Sequence, residues 1–467
     1  MAETFDIAIV GAGITGCAIA RQLARYDLSI CVVEAANDIA LGASKANGGL
    51  VHAGYDPAPG TVKAQVNARG CELYGTWAQE LGFLFRRTGS MVLGFNDEDR
   101  AQLEKLRSNG LANGVPELSI IGPDRIHELE PRASAKATCA LWCPSTGFVD
   151  PFEVAIAALE NAVANGVTFM RSAPVEAIEV ASDEATDGAV RFTLVTPAGD
   201  VRCRHLINAA GNGAADISHM AGAEEFQMVW RQGNIVVLDK EPRALMPLYP
   251  VPTPVSKGVI VTGTAHGNTV ITATAAEREP GDTQTYASDV DALLSGARKL
   301  VPDLDTRRVV RAFAGGRPVI QGTNDFFIGQ SAVVPGLFQA AGIQSPGVAG
   351  RAERAGHCRA HGAYLARCRY CPARAGRLGS DSPRAGRLRP CAACAQGGAH
   401  RDQPCMGTDR LPLRNGARGR DCGRDSTPPG CGFGRGCQAP LPCRHGSVPE
   451  WFLPEPRGGN PSPRAGV

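Results

Sequence analysis

The sequence predicts an α/β protein with a doubly wound sheet domain, an antiparallel-sheet domain and a C-terminal tail of disordered composition. Residues 5–10 form an apolar run suited to a buried parallel strand, and a glycine-rich turn and a helix-like segment follow at once. The composition changes abruptly after Ala349. Apolar or alternating runs, typical of an antiparallel sheet, lie near residues 83–95, 139–149, 232–239, 247–252, 258–263 and 269–274.

The first strand leads into the sequence GAGITG at residues 11–16. In a nucleotide-binding turn of this kind, Gly11 permits the tight bend, Gly13 lets a pyrophosphate approach the backbone, and Gly16 lets helix and strand pack closely. A second apolar run ends at Glu34, whose carboxylate is at the expected distance to hold ribose hydroxyls. The predicted nucleotide contacts are Gly11, Gly13, Ile14, Thr15, Gly16 and Glu34. This fingerprint is common to FAD and NAD sites.

Later segments distinguish the two cofactors. Residues 208–211, NAAG, resemble the turn that closes over the FAD pyrophosphate in flavoproteins of the D-amino-acid oxidase and glycerol-3-phosphate dehydrogenase superfamily. Val175 resembles the residue whose backbone meets adenine, and residues 338–343 resemble the strand and loop that pass the flavin ring. The resemblance implies non-covalent FAD in a Rossmann-like domain of the glutathione-reductase type. It adds as contacts Val175, Ala210, Gly211, Gly342 and Gln344.

A further segment is more specific. Residues 44–57, SKANGGLVHAGYDP, resemble the SKANSGIIHAGYDP of the bacterial glycerol-3-phosphate oxidase and dehydrogenase family, and L-2-hydroxyglutarate dehydrogenases have a similar HNSGVIHAG. Residues 311–318 resemble the family's FAGLRP, and residues 342–347 its GIESPG. The resemblance adds cofactor contacts at Ser44, Asn47 and Gly48. The family often has serine where this chain has Gly48, so a hydroxyl contact is missing there.

Oxidation of a secondary alcohol requires a base for the hydroxyl proton and an acceptor for the hydride. His52 is the candidate base, since imidazole titrates near neutral pH; a loop histidine is the alternative. Arg317 can bind a phosphate or carboxylate through two N–H groups, or serve in a structural ion pair. Lys257 aligns with a family lysine near the substrate entrance, or is a solvated loop residue. Ser345 either hydrogen-bonds substrate or flavin or belongs to a turn.

The resemblance implies an FAD-dependent oxidoreductase that converts sn-glycerol 3-phosphate to dihydroxyacetone phosphate by hydride transfer to flavin N5. An L-2-hydroxyglutarate dehydrogenase or oxidase, with Arg317 on a carboxylate, is the alternative within this class. The alternative from another class is an inactive product of a frameshifted gene. Oxygen, a quinone or a partner subunit remain open as electron acceptors.

The composition and the spacing of the histidines argue against a membrane span, a metal site and a nucleic-acid partner. No apolar run approaches the roughly 18 residues of a membrane span. We predict no metal site, because the histidines of the body other than His52 are scattered without metal-ligand spacing; they are His127, His205, His219 and His266. We predict no nucleic-acid partner, and a cytoplasmic location that is either free or peripheral at the inner face of the membrane.

The tail differs from the body in charge and composition. Residues 1–349 hold 28 basic and 38 acidic residues, a net charge of −10, whereas residues 350–467 hold 20 Arg, no Lys and 8 acidic residues, a net of +12. Ile, Leu, Val and Phe make up about 9% of the tail, far below the ~20% under which chains seldom fold. It also has 10 of the 16 Cys, including a C-x2-C-x19-C-x2-C pattern within zinc-ribbon spacing.

We interpret the tail as translated out of frame. Arg without Lys or Ile is typical of GC-rich DNA read in the wrong frame. The tail also lacks the apolar strands that a zinc ribbon needs. A shift of one nucleotide near codons 347–350 permits segments that resemble the Cys-rich C-terminal domain of anaerobic-type glycerol-3-phosphate dehydrogenases. That domain binds a [2Fe–2S] cluster, so the resemblance implies this second cofactor only if the frame is restored.

The expected domain organisation follows from these segments. The FAD-binding domain is predicted to be discontinuous, with segments 1–82, 150–225 and 310–349. The substrate domain is predicted to fill 83–149 and 226–309, and the low-complexity tail 350–467. Helices are predicted over 96–113 and 151–165, the second starting at Asp150-Pro151.

Overall fold

A computed structural model describes residues 3–181, 189–240, 244–253 and 257–344 of the 467. Ser345, the tail and the predicted cluster-binding segments lie outside these residues. None of the helices within the described ranges is long and apolar enough to cross a membrane.

Helices and short 3-10 turns alternate with strands along the chain. The helices are α1 (Ile14–Leu23), α2 (Val62–Leu81), α3 (Asp97–Ala112), α4 (Pro123–Leu129), α5 (Pro151–Ala164), α6 (Ala214–Met220) and α7 (Ala287–Leu300), with 3-10 turns at Ala43–Lys45 and Gly211–Gly213. The strands are β1 (Glu3–Val10), β2 (Ile30–Val33), β3 (Leu50–Val51), β4 (Phe85–Arg86), β5 (Ser90–Gly94), β6 (Ser119–Ile121), β7 (Cys139–Cys143), β8 (Gly147–Val149), β9 (Thr168–Met170), β10 (Ala177–Val180), β11 (Phe192–Val195), β12 (Val201–Asn208), β13 (Met228–Leu238), β14 (Leu248–Pro250), β15 (Ile260–Gly263), β16 (Thr269–Thr272), β17 (Ala276–Glu277), β18 (Val309–Ile320), β19 (Phe327–Gln330) and β20 (Leu337–Ala341).

The first sheet forms around β1. Within the described ranges it has eight strands in the order β10-β11-β12-β1-β2-β9, with β20 beside β12 and β19 beside β20. β1 runs parallel to β2 and β12. Both faces are covered, because Ile7 and Ile9 pack into one apolar cluster with α1 while Ala8 and Val10 pack into another. This explains the continuous apolar run at the start of the chain and confirms the α/β class.

The second sheet is antiparallel apart from the β5–β14 pair. Nine described strands follow the order β17-β13-β16-β15-β14-β5-β7-β6, with β18 beside β13. Its core packs against α4 and α7 through apolar side chains such as Ile126, Leu293 and Leu300. β18 lies mostly within the range 310–349 that the sequence assigns to the FAD-binding domain, yet its partner is β13 of this sheet.

The predicted helices form with nearly the expected bounds. α5 begins at Pro151, and the Asp150 carboxylate accepts hydrogen bonds from the backbone N–H groups of Phe152 (2.8 Å) and Glu153 (3.2 Å). Such a cap satisfies N–H groups that the first helical turn leaves without intrahelical partners. The prediction of a helix start at Asp150-Pro151 is therefore confirmed.

Candidate active site

The carboxyl end of β1 forms one end of the site. Gly11 has φ +104°, and a Cβ there would lie 2.5 Å from the carbonyl oxygen of Ala209, so only glycine fits. The Glu34 carboxylate accepts hydrogen bonds from the backbone N–H groups of Ala12 (2.6 Å) and Ala36 (2.9 Å). These bonds hold an anionic group beside the N-terminus of α1, in the arrangement that suits a nucleotide ribose and pyrophosphate.

The loop after β2 closes over this end. The Ser44 hydroxyl accepts a hydrogen bond from the backbone N–H of Ile14 (2.9 Å) at the start of α1. The Asn47 amide donates to the carbonyl of Ser44 (2.7 Å) and accepts from the N–H of Gly49 (2.8 Å). Asn47 therefore shapes the loop through its side chain, while Ser44 ties the loop to the helix N-terminus.

A cavity of about 380 Å³ extends along this surface. Ten of the predicted cofactor contacts line it: Gly11, Gly13, Ile14, Thr15, Glu34, Ser44, Asn47, Ala210, Gly211 and Gln344. Four lie elsewhere. Gly16 packs beneath the turn, where a Cβ would meet the carbonyl oxygen of Gly11, and Gly342 is buried against Ile320. Val175 packs on an apolar cluster, and Gly48 lines a second cavity.

The second cavity, of about 410 Å³, shares part of its wall with the first. The shared residues are Ala43, Ala46, Asn47, Leu50, Gly315 and Gln344. His52, Lys257 and Arg317, which the sequence analysis selected independently, all line this second cavity. The two spaces form one extended site with a nucleotide end and an end that carries titratable groups.

The β13–β18 pair forms a partition between the two cavities. Arg231, Gly233 and Ile235 of β13 line the second cavity, as do Gly315 and Arg317 of β18. Alternate residues face the first cavity, namely Trp230 together with Ala314, Gly316 and Pro318, while Gly315 lines both. The Trp230 indole N–H donates to the carbonyl of Asp282 (2.8 Å), and a Cβ on Gly316 would lie 2.4 Å from the indole ring. Side chains on a strand alternate between faces, which is why one strand pair serves both spaces.

His52 lies immediately after β3, a strand that pairs with β8. Its side chain is 6% exposed, and its ring centroid lies 5.8 Å from that of Tyr249 with the planes tilted by 55°. Burial raises the pKa of Tyr249, so its phenol stays neutral at physiological pH. His52 is therefore a buried imidazole that packs against a neutral aromatic ring and lines the second cavity.

Arg317 provides positive charge in the same cavity. Its Nη2 donates to the carbonyl of Thr274 (2.8 Å), and burial followed by the nearby charge of Arg231 lowers the pKa of Arg317 to about 10. Its described hydrogen bond is to a backbone carbonyl, which leaves the guanidinium with its full charge. Arg231, which sequence reasoning missed, is its direct cross-strand partner and pairs with Glu277 at 3.2 Å.

Lys257 forms an ion pair with Asp56 at the cavity wall, with 3.0 Å between Nζ and Oδ2. Both side chains are about one-third exposed, and the Lys257 charge is the main cause that lowers the pKa of Asp56. His266, one of the scattered histidines of the body, pairs with Asp150 at 2.9 Å. It is not part of either cavity wall.

Gly48 has a steric explanation in this chain. A Cβ at position 48 would lie 2.7 Å from Cγ2 of Thr272, which is buried in the wall of the same cavity. The Thr272 methyl group occupies the space that a serine at position 48 requires. The residue at position 48 is therefore glycine, without a hydroxyl, because Thr272 fills the space that a side chain there would need.

The variant Gly48→Ser should lower the free energy of unfolding by about 1–3 kcal/mol, the usual cost of overpacking. Thr272→Ser deletes the clashing methyl group and keeps the hydroxyl, so the double variant should recover most of the loss. Denaturant unfolding of the two single variants and the double variant measures this coupling. Strictly additive losses would contradict the steric explanation.

Residues 6–350 match the family described as FAD dependent oxidoreductase, and the match ends within one residue of the composition break. A glycerol 3-phosphate dehydrogenase of Caloramator mitchellensis is 35% identical over 347 residues, 74% of this chain and 71% of the relative. The glycerol 3-phosphate oxidase of Mycoplasma pneumoniae is 30% identical over 354 residues, covering 74% and 91%. Human mitochondrial L-2-hydroxyglutarate dehydrogenase is 31% identical over 261 residues, covering 54% and 56%.

A solved structure agrees with the sequence comparisons. The dithionite-reduced L-alpha-glycerophosphate oxidase of Mycoplasma pneumoniae, with FAD bound, superposes with a TM-score of 0.70 at 28% identity and covers 76% of this chain and 93% of the other. The glycine-lined cavity, the Glu34 carboxylate and the N-terminus of α1 fit a dinucleotide of this kind. The chain belongs to the FAD-dependent oxidoreductase family, and FAD is its cofactor.

Proposed function

We propose that the chain oxidises the secondary alcohol of sn-glycerol 3-phosphate to dihydroxyacetone phosphate. The observation that carries the proposal is the shared wall of the two cavities, which brings a nucleotide end next to a space lined by His52, Arg317 and Lys257. The names of the relatives, glycerol 3-phosphate dehydrogenase and oxidase, support the choice of substrate.

The residues around the first cavity would hold FAD. Glu34, fixed by two backbone N–H groups, would hold the ribose hydroxyls, and the first turn of α1 with Ser44 would hold the pyrophosphate. The turn at Ala210 and Gly211 would close over it; a Cβ on Gly211 would meet nothing within 4 Å, so this turn leaves open space for a ligand. FAD, when bound, supplies the hydride acceptor.

His52 would take the proton of the substrate hydroxyl. The imidazole is buried, so few waters compete for it, and the neutral ring of Tyr249 restricts its orientation without adding a charge. A base positioned in this way commonly contributes about 10²- to 10⁴-fold to the rate. Removal of the proton raises the electron density on the carbon that releases the hydride.

Arg317 would bind the anionic end of the substrate. Its guanidinium is fixed by the carbonyl of Thr274, and a planar fork of N–H donors binds phosphate through two hydrogen bonds. Lys257, paired with Asp56, lines the same cavity and would donate a hydrogen bond to the substrate. The substrate is thus held at its phosphate, with its secondary hydroxyl available to His52.

Oxidation of L-2-hydroxyglutarate is the second candidate function. The similarity to human mitochondrial L-2-hydroxyglutarate dehydrogenase favours it, and Arg317 would then bind a carboxylate. Both candidates use the same base and the same cofactor, and they differ in the groups attached to the reacting carbon: a hydroxymethyl group and a phosphate arm in one, two carboxylates in the other.

Anaerobic mixing of the FAD-loaded chain with each substrate tests the proposal. We expect sn-glycerol 3-phosphate to bleach the visible flavin absorbance, while its enantiomer sn-glycerol 1-phosphate and L-2-hydroxyglutarate leave it unchanged. Bleaching by L-2-hydroxyglutarate alone would assign the second candidate instead. Chemical reduction with dithionite serves as the control for reducible flavin, so no bleaching by either alcohol would refute both.

A further inference from the structure

Arg231 has a feature that the proposed function does not use. It lies in β13 directly opposite Arg317 in β18, and both residues line the second cavity. Directly opposed residues on antiparallel strands have Cβ atoms about 4.5–5.5 Å apart, and like charges in such pairs destabilise a sheet. Two arginines facing each other in a cavity therefore indicate a site for an anion between them.

The surrounding charges support this interpretation. Among the described residues, Asp56 is the one carboxylate in the cavity wall, and it is already paired with Lys257. Glu277 contacts Arg231 at 3.2 Å but is 66% exposed, so solvent screens much of its charge. Lys63 adds a further cation to the same wall. Among the described residues, the two guanidinium charges therefore meet one carboxylate, that of the exposed Glu277, and a net positive charge remains at the arginine pair.

The packing around Arg317 fixes where its guanidinium lies. A Cβ on Gly233 would be 2.7 Å from Nη2 of Arg317, so the guanidinium lies over the glycine, on β13 beside Arg231. Gly233 follows Arg231 by two residues on the same face of the strand, which places the Arg317 guanidinium over the strand that carries Arg231. The absence of a side chain at position 233 provides the room for this arrangement.

A phosphate monoester matches two guanidinium groups better than a carboxylate does. It carries about −1.5 to −2 charges near pH 7 and three acceptor oxygens, so each arginine can form its own set of charge-assisted hydrogen bonds. A carboxylate has one charge and two oxygens, which a single arginine fork already satisfies.

We propose that Arg231 and Arg317 together form a subsite for a phosphate monoester dianion, and that Arg231 makes this end of the cavity prefer phosphate to carboxylate. The inference rests on the proposed function, since it assigns the anion-binding end of the same cavity. Arg231 is a specificity-determining residue in this scheme, while His52 acts on the reacting hydroxyl.

Anion binding to the full chain loaded with FAD tests the subsite without turnover. Inorganic phosphate and glutarate are titrated by calorimetry into the wild type and the variants Arg231→Met and Arg231→Lys. Arg311→Met, which alters an exposed arginine of the neighbouring strand β18 outside the cavity wall, is the matched control. We expect Arg231→Met to weaken phosphate binding about tenfold or more, and glutarate binding less than about threefold. Arg311→Met should change neither affinity.

Arg231→Lys keeps the charge and loses the fork, so its phosphate affinity should lie between those of the wild type and Arg231→Met. Glu277→Gln removes the competing carboxylate and should tighten phosphate binding. The flavin content of each variant reports on folding. The inference is overturned if neither Arg231 variant changes the ratio of phosphate to glutarate affinity, or if both anions lose affinity equally. Phosphate binding with this pattern, together with no flavin bleaching by sn-glycerol 3-phosphate, would refute the proposed function and leave the subsite standing.

Discussion

The variant His52→Asn is expected to lose about 10²- to 10⁴-fold in the rate of flavin reduction by sn-glycerol 3-phosphate, because in the proposed mechanism the buried imidazole accepts the hydroxyl proton. Asparagine approximates the shape of histidine and its hydrogen bonding, but it does not accept a proton near neutral pH. Stopped-flow bleaching under anaerobic conditions measures the step directly. The dissociation constant for the substrate, from the concentration dependence of that rate, should change little.

His266→Asn is the matched control for this loss. His266 pairs with Asp150 outside both cavity walls, so its replacement should leave the rate of flavin reduction near that of the wild type. Equal losses in the two variants would show that histidine replacement acts through stability, and the role of His52 as base would be withdrawn. A fall of less than about threefold in His52→Asn would have the same consequence.

The second large effect is expected at Arg317. Arg317→Met should lower kcat/KM for sn-glycerol 3-phosphate by about 10²-fold or more, because the loss of a desolvated, hydrogen-bonded charge opposite a ligand charge commonly costs about 2–5 kcal/mol. Most of this loss should appear in KM, since the phosphate is bound equally in the ground state and the transition state. Steady-state kinetics over a range of substrate concentrations separates the two constants.

Glycerol provides the control substrate for Arg317→Met. It has the reacting alcohol without the phosphate, so its low kcat/KM should be nearly the same in the wild type and the variant. A parallel fall for glycerol and sn-glycerol 3-phosphate would mean that Arg317 supports the fold of the cavity through Thr274 rather than binding the anion.

Local patterns in the sequence were sufficient for several features. The apolar run before Gly11, the position of Glu34 and the Asp150-Pro151 helix start each depend on residues close together in the chain, and the structure has the strand, the acid and the cap where these patterns predict them. The motif around His52 likewise identified a residue that lines a cavity.

Other features depend on strand register and had no local signal. Arg231 becomes the partner of Arg317 only because β13 and β18 pair in one register from Met228 to Val237, across 86 positions of sequence. Thr272 meets Gly48, and Trp230 covers Gly316, for the same kind of reason. The polar residues within the run VWRQGNIVV give a small hint, because buried polar and charged side chains require polar partners. The predicted role of Ser345 and the interpretation of the tail stay predictions, since both fall outside the described residues.

The β13–β18 pair separates the residues proposed to select the substrate from the residues that line the first cavity. One face of the pair lines the first cavity and the other lines the second, so in the proposed scheme positions 231 and 317 can be exchanged for other side chains while the surface of Trp230 and Gly316 is left alone. If Arg317 binds the anion as proposed, the same two strands fix the distance between that anion and the cofactor. They would then limit the length of the substrate that is accepted. Redesign toward a different acid or phosphate would begin on that single face, whereas an insertion of one residue would interchange the two surfaces and destroy both sites at once.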